Sequence, residues 1–153
     1  MEKLIHEFYA AFTRRDAEKM AACYHEEIVF HDPAFGELQG EEVGMMWRML
    51  CAQGKDLYIE FSNIKANEQN GSAHWEATYT FSQTGRKVHN VIEASFVFKD
   101  GKIVRHIDRF SLHKWARQAI GWKGLLMGGT KFFQKRLQKQ TRKALDRYIA
   151  KAS

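Results

Sequence analysis

His106 and Asp108 stand two residues apart, flanked by Val104 and Phe110. In an extended chain residues i and i+2 share a face. An imidazole and a carboxylate placed that way form an acid/base pair if the face lines a cavity, and an ordinary polar face if it meets water. The same spacing sets His74 beside Glu76 across Trp75, and Asp32 closes a third apolar run just before Pro33. An apolar cavity raises a carboxyl pKa and brings proton transfer into range near neutral pH. The candidate catalytic residues are therefore Asp108 as general base or acid, His106 as its partner, Asp32 as a second carboxylate, and His74 with Glu76. Trp47, Phe30, Asn90 and Phe110 are candidates for the wall of a ligand pocket. Each catalytic candidate also has a plainer reading. A buried His–Asp pair can simply satisfy itself, an Asp before Pro can end a strand, and His74 and Glu76 fit a solvated antiparallel face.

The elements that must position these groups follow from periodicity and turn chemistry. Residues 2–14 carry an apolar stripe of Leu4, Ile5, Phe8, Tyr9, Ala11 and Phe12 at helical spacing. Asp16 is placed to cap a second helix, Ala17–Tyr24. A short strand at 28–30 ends at His31-Asp32-Pro33, a loop spans 34–40, and a third helix covers 41–53. The period then drops to two. Strands are expected over 57–64, 72–81, 88–98 and 102–112, joined at Asn70-Gly71, Thr84-Gly85 and Asp100-Gly101. Along the last strand Val104, His106, Asp108 and Phe110 are expected on one face, with Ile103, Arg105, Ile107 and Arg109 on the other. A helix over 112–120, an apolar glycine-punctuated loop over 121–129 and a helix from the Thr130 cap to about residue 150 complete the chain. Three helices followed by hairpin-linked strands is an α+β pattern with an antiparallel-rich sheet.

With 153 residues, 44% hydrophobic and 13% aromatic, the chain has enough material for one core. Residues 1–115 are expected to form the pocket domain and 116–153 a helical extension of the same unit. The net charge is +6. Residues 131–151 hold eight basic side chains and one acid, a net +7, so the rest of the chain sums to −1. The basic character belongs to the last helix. Its stripe of Phe133, Leu137, Ala144, Leu145 and Tyr148 fits packing on the domain with a solvated basic face. Together with Trp122, Leu125, Leu126 and Met127 before it, the helix also has the composition of an anchor to an anionic membrane surface. Nucleic acid is the poorer match, since no stacking platform accompanies the charge. No segment has the length of a spanning helix or the apolar run of a signal peptide. Cys23 and Cys51 are expected as buried thiols in a cytoplasmic protein. No metal spacing, nucleophile elbow or phosphate loop is present.

The order helix–helix–strand–Asp-Pro–helix–hairpins resembles the nuclear transport factor 2-like superfamily, the cone fold of ketosteroid isomerases, limonene-epoxide hydrolases and SnoaL-like polyketide cyclases. The resemblance rests on the Arg15-Asp16 end of the first helix, on Ile28-Val-Phe-His-Asp-Pro33, and on Asp100-Gly-Lys-Ile-Val-Arg-His-Ile-Asp-Arg-Phe110. It covers roughly residues 1–115. It implies a curved sheet wrapped with N-terminal helices around a pocket, an apolar small-molecule ligand and a homodimer through the open sheet face. Asp32 resembles the isomerase base. The positions matching that enzyme's oxyanion donors are Phe8, one step from Tyr9, and Ala94, one step from Glu93. Asp108 resembles the epoxide hydrolase base, and His74-Trp-Glu76 resembles that family's Arg-x-Asp pair with arginine replaced. Phe30 and Asp32 stand where the family has Tyr and Asn. These departures remove both specific activities as direct inferences. What remains is an isomerase, cyclase or hydrolase using carboxylate and histidine acid–base chemistry on an apolar oxygenated substrate, with no cofactor. The alternative is a non-catalytic ligand-binding or accessory module.

Overall fold

Local chemistry sets the ends of the elements. The computed structural model describes residues 1–153. Helix α1 (Glu2–Thr13) is followed by α2 (Ala17–Ala22), whose Asp16 cap accepts from the Lys19 N–H. Strands β1 (Tyr24–Asp32) and β2 (Gly36–Gln39) lead to α3 (Glu41–Gln53). Strands β3 (Tyr58–Ala66), β4 (Asn70–Phe81), β5 (Arg86–Lys99) and β6 (Lys102–Arg109) come next. Helices α4 (Leu112–Ile120), α5 (Trp122–Met127) and α6 (Lys131–Ala152) end the chain. Ser111 and Thr130 cap α4 and α6 through the N–H groups of Lys114 and Phe133.

The strands make one curved, unclosed sheet in the order β2-β1-β6-β5-β4-β3. Only the β1–β6 pair is parallel. Opposed residues in a ladder share a face. Phe30 pairs with His106, Phe96 with His106, Ala94 with Asp108, and Ala73 with Ala94. These residues, with Trp75 and Ile92, therefore form the inner face. Helices α1 and α3 cover it with Ile5, Phe8, Tyr9, Phe12, Met46 and Trp47, all buried in one cluster. Helix α6 is part of the same packing. Leu145 is fully buried, Gln138 and Thr141 donate to the carbonyls of Pro33 and Ala34, and Arg142 pairs with Glu42.

Several expected boundaries move, each for a local reason. Strand β1 starts at Tyr24, and the expected 34–40 loop contains β2, which pairs Leu38 with Phe30. The expected Asn70-Gly71 turn lies earlier, where the Asn67 side chain accepts from the N–H groups of Gln69 and Asn70. Gly71 is a strand residue kept small by contact: a Cβ there would stand 2.8 Å from Ile5 Cδ1 and 2.9 Å from Phe98 Cζ. Strand β6 stops at Arg109, and residues 122–127 are helical. Ala144 is exposed and leaves the α6 stripe, while Ile149 joins it. The alternation along β6 is also broken. Phe98 pairs with Ile103 and Val97 with Arg105, so Val104 is the extra residue of a β-bulge. Ile103 thus turns inward with His106 and Asp108 and is fully buried, contrary to the two-face reading of that strand.

Candidate active site

The bulge at Val104 fixes which residues of β6 enter the core. His106 is fully buried and Asp108 is 2% exposed, the two polar residues among the buried set. Burying such groups is costly unless every donor and acceptor is matched. Here the matching is sequential. Trp47 Nε1 donates to the Tyr24 hydroxyl (2.8 Å), and Tyr24 Oη lies 2.8 Å from His106 Nδ1. His106 Nε2 lies 2.9 Å from Asp108 Oδ1, which also accepts from Trp75 Nε1 at 3.3 Å.

An indole N–H can only donate. The Tyr24 oxygen therefore accepts from Trp47, and its own proton finds a partner in this chain only at Nδ1. That leaves the Nε2–H tautomer of a neutral imidazole, which donates to Asp108. In that arrangement every donor and acceptor from Trp47 to Asp108 Oδ1 is matched. Rings enclose it: Phe96, Phe30 and Phe8 have centroids 4.6, 5.1 and 5.6 Å from His106, and Trp47 stacks on it at 6.2 Å. Burial pushes the Tyr24 hydroxyl well above its ordinary pKa, although the Trp47 N–H opposes that. Both donors to Asp108 converge on Oδ1, which leaves Oδ2 without a protein partner.

Asp32 lies at the end of β1, one step past the His31–Ile107 rung and so beside Asp108 on the inner face. Neighbouring strands lie about 4.8 Å apart, which puts two carboxyl groups in one neighbourhood. Asp32 Oδ1 accepts from the N–H groups of Ala34 (2.9 Å) and Phe35 (2.6 Å). Burial pushes its pKa up to about 7. The Phe35 and Ala34 amides oppose that rise, and the Asp108 charge adds to it. Tyr9 supplies a further polar group. Its hydroxyl is buried with no hydrogen-bond partner, and burial followed by the Asp108 charge holds its pKa high. An open groove of about 470 Å³ at this end of the sheet is lined mainly from the outer face, by Val29, His31, Arg105 and Ile107, and reaches Asp108 and Phe110 at its edge; Asp32 and His106 do not line it.

The structure brings His106, Asp108 and Asp32 together and leaves His74 and Glu76 elsewhere. Residues 74 and 76 alternate with the buried Ala73, Trp75 and Ala77 and so lie on the outer face. There His74 Nε2 meets Glu76 (2.8 Å) and Nδ1 meets Glu93 (2.5 Å), while His89 reaches the other Glu76 oxygen at 2.6 Å. The sheet separates them from Asp108, which corrects their inclusion in one catalytic set. Phe30 and Trp47 wall the His106 ring. Phe110 is half-buried between the two apolar clusters, and Asn90 is half-buried on the inner face opposite Ala77. Tyr24 and Tyr9 were not among the candidates. The available signal was a tyrosine on the apolar face of each segment.

Known proteins share this architecture. The SnoaL-like domain family model matches residues 5–106. A candidate polyketide cyclase from Xanthomonas campestris pv. campestris is 20% identical, with a TM-score of 0.63, over 76% of this chain and 93% of that one. An LEH-like epoxide hydrolase of M. tuberculosis is 19% identical, with a TM-score of 0.60, over 82% and 89%. A protein of ketosteroid isomerase-like fold from Catenulispora acidiphila, in complex with trimethylamine, is 12% identical, with a TM-score of 0.66, over 76% and 91%. No curated protein matches in sequence. At these identities the structural neighbours establish the fold, and the family model covers two thirds of the chain. The chain belongs to the SnoaL-like domain family and has the nuclear transport factor 2-like cone fold.

Proposed function

We propose that this protein catalyses proton transfer on an apolar, oxygenated small molecule, with Asp108 as base and Asp32 as acid. The observation that carries the reading is the hydrogen-bond chain from Trp47 through Tyr24 and His106 to Asp108, which leaves Oδ2 free, beside Asp32, whose carboxyl pKa is raised by burial to about 7. In the reaction, Asp108 Oδ2 takes a proton from the carbon next to a carbonyl. Asp32 gives its proton to the carbonyl oxygen, and an enol forms. Return of a proton to the same or another carbon completes an exchange or an isomerisation. Cyclisation and hydration use the same two transfers. Tyr9 is a further donor for the developing oxygen charge. His106 touches no reacting atom; it orients Asp108 and is held in turn by Tyr24. The fold neighbours include proteins described as a polyketide cyclase and an epoxide hydrolase, which is consistent with small-molecule chemistry in this cone.

Binding without catalysis is favoured by one observation, the filling of the cone with its own rings around His106. A homodimer through the outer face, where Tyr58 and Val91 are exposed, is compatible with either reading.

The test is hydrogen–deuterium exchange at the carbons flanking the carbonyl of 2-tetralone in D2O, followed by NMR. Positioned acid–base groups accelerate such steps on the order of a hundredfold or more. The parent protein should show that acceleration over buffer, and Asp108→Asn and Asp32→Asn should lose it. A parent rate no faster than that of Asp108→Asn and Asp32→Asn would leave the binding-module reading in its place.

A further inference from the structure

Seven large hydrophobic side chains of this chain are exposed, and five of them fall between residues 122 and 132: Trp122 (68%), Leu125, Leu126 (69%), Met127 and Phe132 (63%). Scattered exposure of this kind is ordinary, whereas a cluster marks an interaction surface.

Helix α5 shows why they are out. Its buried residue is Gly124, where a Cβ would stand 2.0 Å from the Ala116 carbonyl oxygen. A Cβ on Gly128 would stand 2.6 Å from Ala116 Cβ and 2.5 Å from the Gly124 carbonyl oxygen. His113 Nε2 adds a 2.6 Å hydrogen bond to the Leu125 carbonyl. The helix is thus fastened to α4 by its glycine side, and its apolar side chains point away from the protein. This inverts the usual arrangement of a surface helix, whose apolar stripe faces the core.

The stretch of chain that carries these side chains has one sign of charge. From Arg109 to Leu145 the chain has ten Lys and Arg residues and no Asp or Glu. Of the ten, only Arg142 is in an ion pair, and Lys123 Nζ sits 5.9 Å over the Trp122 ring. A second copy offering the same surface would be repelled. No helix is long and apolar enough to cross a membrane. The last helix is itself committed to the core through Leu145, Tyr148 and Ile149, so it is not the inserting element.

We propose that α5 and Phe132 dock this protein onto the surface of an anionic lipid bilayer. Trp122, Leu125, Leu126 and Met127 enter the interface while Lys123, Lys131 and Lys135 face the headgroups. The experiment is co-sedimentation of the full chain with vesicles of phosphatidylcholine, alone or mixed with phosphatidylserine. Trp122→Ser/Leu126→Ser tests insertion and Lys131→Glu/Lys135→Glu tests the charge. All four positions are exposed, and circular dichroism verifies that the variants fold. Binding to the anionic vesicles should weaken with salt and fall by about tenfold or more in each double variant. No binding to anionic vesicles at low salt would overturn the proposal. So would binding that survives the serine variant, and so would equal binding to neutral vesicles. An acidic protein captured through the same patch by a chain that ignores vesicles would also overturn it.

Discussion

Two histidine–carboxylate pairs stand on this sheet at the same i, i+2 spacing, one on each face. On the inner face His106 has one carboxylate and one tyrosine, so each ring nitrogen has a single partner and the network needs only one carboxylate. On the outer face both nitrogens of His74 point at carboxylates, Glu76 and Glu93, which only an imidazolium can satisfy. The Glu76 bond and then the Glu93 bond raise the His74 pKa. Water screens that charge, whereas rings enclose the inner pair. The same two residue types thus give a solvated ion cluster on one side and an ordered relay ending on a free carboxylate oxygen on the other. Which face the helices close sets the difference.

Variants sharpen the contrast. His106→Ala empties a buried ring site and leaves Tyr24 and Asp108 without their shared partner, so it should cost about 3–4 kcal/mol in urea unfolding. Asp32→Asn comes next and acts through pH. The folded chain keeps the Asp32 proton up to about pH 7, while the unfolded chain releases it near its ordinary 3.8. The folded state therefore binds more protons across that window, and parental stability falls as pH rises through it. Asparagine cannot ionise. Relative to the parent, the variant should gain about 2–4 kcal/mol between about pH 4 and about pH 8. His74→Ala is the smallest, below about 1 kcal/mol at its most favourable pH. Its raised pKa makes that contribution fully present below pH 6.5 and lost as pH climbs through the folded value. Equal costs for His106→Ala and His74→Ala would erase the distinction between the faces.

Much of this was legible before the fold. Asp100-Gly101 adopts positive φ at both residues, 52° and 75°, as its turn chemistry requires. Asp16 and Thr130 cap the helices assigned to them, and the His106–Asp108 pair shares one face. What escaped depended on other strands. Alternation separates His74 from Trp75 but does not say which of them meets a helix. The bulge at Val104 is set by the register against Phe98 and Val97, so Ile103 could not be placed from β6 alone. Gly71 looked like a turn glycine because its reason for being small, Ile5 and Phe98, is distant in sequence. Tyr24 and Tyr9 looked like core residues, and their partnered and unpartnered hydroxyls are tertiary facts. Glycines hid α5 in the same way, since they read as a loop until Ala116 is seen against them.

The central claim is that Asp32 and Asp108 share one apolar site and act as an acid and a base. The most direct test is a carbon-13 NMR titration of the Asp32 carboxyl group in the parent protein and in Asp108→Asn. The account predicts a parental midpoint at about 7, moved downward when the neighbouring charge is removed. A midpoint near the ordinary aspartate value of about 3.9 in both proteins would contradict it.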